Sequence, residues 1–146
     1  MMYYNTQVVQ FLVMIVIGVL FNPMNALVYR TNDLFFSLTL FYGGILMASN
    51  MVWGHEVIHY LSMGHFNKQV FGVGLLLSIV TTILLLREQL FVTDDQWLRR
   101  MIGHHSTALT TTHKIYNRTN NINLKTLAND IIKTQEKEIA LMKSML

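Results

Sequence analysis

Residues 34–53 read LFFSLTLFYGGILMASNMVW, twenty consecutive positions without a charge. At 1.5 Å per residue such a run is long enough, as a helix, to cross the roughly 30 Å hydrocarbon core of a bilayer. Phe35, Phe36 and Trp53 stand at its two ends, where aromatic rings suit the membrane–water interfaces. Two further apolar runs flank it. The first extends over residues 8–28 if Asn22, Pro23 and Asn25 are tolerated, with Pro23 expected to kink or end the regular helix because it has no N–H. It lacks a basic region before it and a small-residue cleavage site, so it reads as a retained helix and not as a signal peptide. The other covers residues 70–86 and closes at Arg87-Glu88. Gly43, Gly44, Gly72 and Gly74 are small residues that would let such helices approach closely.

Charge follows the same division. Of 146 residues, 52% are hydrophobic and 13% charged, about half the charge of a soluble domain, which is roughly 25% Asp, Glu, Lys and Arg. Residues 1–92 contain Arg30, Asp33, Glu56, Lys68, Arg87 and Glu88 as their only charges, and these cancel, so the net +3 belongs to residues 93–146. This excludes an ordinary soluble globular domain, a disordered chain and a nucleic-acid binder built on a basic surface. The expected partner is a lipid bilayer, and no small-molecule substrate is evident. Cysteine is absent, so no disulfide, thiolate metal site or Cys nucleophile exists. Arg30, Arg87, Arg99 and Arg100 fall on the side of the tail and Lys68 on the other, which by the positive-inside rule places the tail on the cytoplasmic side.

Residues 93–146 read as a helical hairpin. Thr93-Asp94-Asp95-Gln96 is a capping box. Trp97, Met101, His105 and Ala108 recur at helical spacing, beside Leu98, Ile102, Leu109 and Ile115. A turn is expected over residues 117–123, and a second helix from about Leu124. That helix carries Leu127, Ile131, Ile132, Ile139 and Met142 on one face, and Lys125, Lys133, Lys137 and Lys143 away from it. Two helices cannot bury a self-sufficient core, so the hairpin is expected to pack on a second copy of itself. The expected architecture is all-α: a three-span transmembrane region over residues 1–92 (about 8–28, 34–53 and 70–86), then an antiparallel hairpin completed by homo-oligomerisation.

Met101-Ile102-Gly103-His104-His105-Ser106 resembles the M-I-P-H-H-S signature of the ferritin-like "domain of unknown function 305" family, with Gly103 where that family usually has Pro. Gln135, Glu138, Ile139 and Met142 match its Q-x-x-E-I-x-x-M motif. The resemblance covers the whole tail and extends more weakly to the front, since a membrane-bound branch places three hydrophobic spans before the hairpin. It implies a helical-bundle domain found in bacterial and some viral proteins, with members linked to copper binding or tolerance.

The residues themselves point the same way. An antiparallel hairpin brings His104 and His105 near Glu138, Met142 and Met145. With Met101 these form an imidazole–thioether set suited to Cu(I), and replacing thioether by carboxylate shifts preference toward Cu(II) or Zn(II). The competing interpretation is a packed His hydrogen-bonded across the bundle with no metal present. His113, two turns beyond His105, fits a helix-end cation. A ferritin-like di-iron centre wants several inward carboxylates, and Glu138 alone is well placed.

His55-Glu56-Val57-Ile58-His59 is a literal H-E-x-x-H, the spacing that puts two imidazoles on one helical face with a Glu to polarise a metal-bound water. His65 stands where an extended motif has its third ligand, with Ser62 in place of the turning glycine. The motif follows directly on an apolar run with no room for a substrate-binding sheet. Three readings therefore compete: interfacial side chains in a loop, a non-catalytic metal site at His55, His59 and His65, and a zinc-dependent membrane protease. Function is expected to be a non-enzymatic membrane protein whose tail binds a transition metal, copper before zinc, for handling, tolerance or sensing. The alternatives are a structural or assembly protein oligomerising through its tail and, last, the protease.

Overall fold

A computed structural model describes residues 2–146, with side chains from Asn5 onward. Among these residues every regular element is helical. The main helices are α1 (Met2–Leu20), α2 (Pro23–Ala26), α3 (Leu38–Met63), α4 (Lys68–Val80), α5 (Asp94–Arg118) and α6 (Ile122–Ser144). A 3-10 turn covers Thr31–Asp33, and α4 continues as a π-helical segment over Thr81–Arg87. Pro23 ends the first helix as expected: α1 stops at Leu20, and the chain restarts with proline in the first helical position, where its missing N–H costs nothing. Two compact units result. One contains the residues up to Asn22 together with Leu38–Val92, the other Pro23–Ser37 together with Thr93–Leu146. The chain passes between the two units at 22/23, 37/38 and 92/93.

In the first unit α3 packs against α1 and α4, and glycine sets both approaches. A Cβ on Gly44 would lie 2.9 Å from a Val19 methyl and 3.0 Å from the Ile15 carbonyl oxygen; one on Gly74 would lie 2.9 Å from the Trp53 backbone nitrogen. Gly18, which the sequence pattern did not single out, faces Gly44 with 3.0 Å between its ideal Cβ and the Gly44 Cα. Gly72 faces open space, and Gly43 has only Asn22 at 3.9 Å. Beside Gly74, Trp53 Nε1 donates to Ser78 Oγ (3.2 Å), whose hydroxyl lies 2.9 Å from Asn50 Oδ1. A polar cluster of this kind adds direction to the contact between the two helices. After α4, Tyr42 donates to the Leu90 carbonyl (2.7 Å) and Thr39 to Gln89 (3.0 Å), holding a turn in which Gln89 and Phe91 take left-handed φ of 50° and 62°.

Among the described residues two helical stretches are long and apolar enough to cross a membrane, Asn5–Ala26 and Lys68–Arg87, with mean hydropathy 1.9 and 2.3. The run at residues 34–53 is not a third by the same measure. Its helix begins at Leu38, and the apolar residues share it with Ser49, Asn50 and His55. That helix continues ten residues past Trp53, so the H-E-x-x-H segment is helical and not part of a loop.

In the second unit α5 and α6 lie side by side, Ile102 and Leu109 packing with Ile139 and Met142 in one apolar cluster. Thr93 caps α5, its hydroxyl accepting from the Gln96 N–H, and Asn121 caps α6 by accepting from Leu124 N–H. The turn between them is residues 119–121, shorter than composition suggests. The segment 23–37 is a strap over this pair. Phe35 joins the apolar cluster, Tyr29 stacks on His113 with 4.8 Å between ring centroids, and Arg30 pairs with Glu136 at 2.8 Å. Asp33 is fully buried: Ser106 Oγ donates to its Oδ2 at 2.7 Å while accepting from the Tyr29 N–H at 2.9 Å. The Lys143 ammonium lies 2.5 Å from Oδ1, close enough for an ion pair although it is not aligned for a hydrogen bond. Lys143 therefore turns inward, against the expectation that it would join the solvated lysines, because a buried carboxylate needs a cation.

Candidate functional site

Helix α5 presents Met101, His104 and His105 within one turn, and α6 presents Glu138 and Met142 one turn apart. The antiparallel register brings His105 Nδ1 to 3.0 Å from Glu138 Oε2, with the imidazole 14% and the carboxylate 44% exposed. The contact is an ion pair whenever the ring is protonated, but the nitrogen is buried and not directed for a hydrogen bond. His104 is exposed on the outer side, its ring 5.8 Å from that of His105 and inclined by 63°. This is the divergence that adjacent helical positions impose. Met142 is buried in the apolar cluster, and Met101 packs against it. Met145 is exposed. The hairpin thus brings His105 and Glu138 together, places His104 beside them, and uses two of the three expected thioethers, Met101 and Met142, in packing.

Partial burial, then the positive charges of Arg100 and His105, hold the His104 imidazole below its usual 6.5. Between that lowered value and 6.5 the unfolded chain binds more protons than the folded one, so stability rises with pH in this window. The contribution is complete above pH 6.5 and is lost as pH falls through 6.5 toward the lowered value. We expect His104→Gln to flatten the difference between unfolding temperatures measured at about pH 7.5 and about pH 5.5. An unchanged difference would remove His104 from the account.

The second constellation lies at the end of α3. His55 and His59 are one turn apart with ring centroids 5.7 Å apart, and His65 follows at 5.9 Å from His59. Glu56, next to His55 in sequence, binds the connection to α4. It is fully buried, and its Oε2 accepts the Asn67 N–H at 3.0 Å, tying α3 to the start of α4. Among the described residues no three His, Asp or Glu side chains are gathered tightly enough to enclose a metal ion. Sequence reasoning missed the Asp33–Ser106–Lys143 network. The available signal was Asp33 itself, an acid flanked by apolar runs, since buried charges require partners.

The family described as Domain of unknown function (DUF305) matches residues 85–146. An uncharacterized protein of Acanthamoeba polyphaga mimivirus is 35% identical over 126 residues, 86% of this chain and 81% of that protein. This chain belongs to the DUF305 family. The His104-His105 and Glu138–Met142 motifs both lie inside the matched DUF305 segment, which begins at the end of the π-helical turn. The likeness to the viral relative is longer than that segment and reaches into the apolar front. No solved structure matches the chain.

Proposed function

We propose that this DUF305 protein is a small, non-enzymatic, multi-pass membrane protein whose ferritin-like hairpin binds a transition-metal ion, copper before zinc, for handling, tolerance or sensing. The observation that carries the proposal is the buried His105 Nδ1, unmatched by an aligned hydrogen bond and 3.0 Å from Glu138 Oε2. A buried polar nitrogen in that condition costs free energy, and imidazole beside carboxylate is a ligand pair for Cu(II) or Zn(II). His105 and Glu138 would hold the ion, with His104 at its edge. Met101 and Met142 would have to leave the apolar cluster to bind, so the donor chemistry favours Cu(II) over Cu(I). A bound ion would cross-link α5 to α6 and raise the hairpin's stability. One chain supplies too few donors to close a coordination shell, and a second copy of the hairpin is the proposed source of the rest.

The topology belongs to the same proposal. With α1, α3 and α4 as three spans, the tail lies on the face opposite the N-terminus, and Arg30, Arg87, Arg99 and Arg100 against Lys68 favour the cytoplasmic side. Helix α3 has 26 residues, about 39 Å, so its last turns would carry His55 and His59 to the interface. Purified protein should retain metal by elemental analysis, and His104→Ala with His105→Ala should lower its content by the tail's share; unchanged metal content in that double variant sinks the proposal. One observation favours a structural assembly protein instead: both methionines are used in packing. On that reading the double change weakens the oligomer and alters no metal. The protease reading has the least support, because Glu56 is engaged with Asn67.

A further inference from the structure

We propose that His55 and His59 hold a divalent transition-metal ion independently of the tail, and that His65, which does not close on them in this structure, swings in as the third ligand. Three observations converge on it. His55 and His59 stand at i and i+4 on α3, with ring centroids 5.7 Å apart. Two imidazoles sharing one ion at metal–nitrogen distances of about 2.0–2.1 Å have centroids roughly 5–6 Å apart. The pair is therefore at bridging separation. The chain then ends α3 in a way that returns a third imidazole. Gly64 adopts a left-handed φ of 69° and its N–H bonds to the Tyr60 carbonyl at 2.9 Å, a helix stop that glycine makes at little cost. His65, the next residue, comes back to 5.9 Å from His59. Its exposed side chain is free to rotate onto an ion held by the other two.

The third observation concerns lone pairs. Nδ1 of His55 and Nδ1 of His59 are both buried, and neither has a hydrogen-bond partner. No protein donor occupies those nitrogens, and a buried polar atom without a partner is disfavoured. Glu56, the acid within the motif, is committed to the Asn67 N–H and fixes the connection between α3 and α4, so the histidines are held on an anchored frame. Neutral imidazoles with no thiolate or thioether among them select borderline divalent ions such as Zn(II) or Cu(II). With three protein ligands and a fourth position left to water, the site would store or pass on an ion. Glu56, which would have to activate that water for hydrolysis, is engaged with the Asn67 N–H.

The test uses full-length protein in detergent, stripped of metal and titrated with Co(II) as a spectroscopic probe and Zn(II) as competitor. We expect binding that persists in the His104→Ala plus His105→Ala protein, and that weakens about tenfold or more in His59→Ala and in His65→Ala. His65 is exposed, so its replacement leaves the fold intact and keeps the test decisive if the His59 variant is unstable. Wild-type affinity in both His59→Ala and His65→Ala, or in His65→Ala alone, overturns the three-histidine site. So does binding that disappears with the tail double change while His59→Ala and His65→Ala bind normally. Failure of the tail proposal reads out separately, as metal content indifferent to His104 and His105.

Discussion

Replacing Lys143 by Met should destabilise the second unit by about 3 kcal/mol, the cost of leaving a buried carboxylate without its cation. Asp33 is fully buried, and its charge is answered by Lys143 at 2.5 Å and by the Ser106 hydroxyl at 2.7 Å. The two partners are not equivalent. The Lys143 side chain is 34% exposed, so Asp33→Asn leaves an ammonium that can turn to water, at a smaller cost of about 1–2 kcal/mol. Combining Asp33→Asn with Lys143→Met removes both charges and should recover most of the loss, within about 1 kcal/mol of the unaltered protein. Thermal unfolding of the four proteins in one detergent gives the cycle. Equal losses in the two single variants, or strict additivity in the double, would show that the ion pair does not hold the strap.

The second large effect is expected where helices touch through glycine. Gly74→Ala places a methyl 2.9 Å from the Trp53 backbone nitrogen and from a Val52 methyl. Backbone cannot rotate aside, so α4 must move away from α3 and carry Ser78 off Asn50 and Trp53; overpacking of this kind costs about 1–3 kcal/mol. Gly44→Ala meets the Val19 methyl and the Ile15 carbonyl and should behave similarly on the α1 side. Gly72→Ala is the control, two residues from Gly74 in the same helix with open space around it. There the added methyl should be neutral or stabilise by up to about 1 kcal/mol, because glycine is the poorer helix former. If Gly74→Ala melts no lower than Gly72→Ala, the close approach of α3 and α4 is not what that glycine provides.

Periodicity and composition revealed the helices because both depend on local pattern. The capping box at Thr93, the break at Pro23 and the pairing of His105 with Glu138 were readable for the same reason: each follows from spacing along one helix or from the register of a short hairpin. What escaped was non-local. Residues 29–33 have the composition of a linker, and nothing in their immediate neighbours shows that Asp33 meets Ser106 and Lys143. Gly43, Gly44, Gly72 and Gly74 look alike in sequence, yet Gly44 and Gly74 are at contacts while Gly43 and Gly72 are not. Which helical face meets a neighbour is a property of the packing. Glu56 is the sharpest case. Its place between two histidines suggests chemistry, but the fold uses its carboxylate to receive an amide eleven residues on.

The strap also sets a schedule. Asp33 bonds to Ser106 across 73 positions, and Arg30 to Glu136 across 106. At the roughly 5–20 residues per second of protein synthesis, Lys143 follows Asp33 by about 5–20 s. Throughout that interval the nascent chain carries an acid whose burial site is not yet made, so the strap must stay in water or against lipid headgroups until α6 emerges. A product that stops just before Lys143 would keep every apolar segment and both His pairs, yet leave that one carboxylate unanswered. The pair Asp33–Lys143 thereby distinguishes a chain made through Lys143 from one that stops before it.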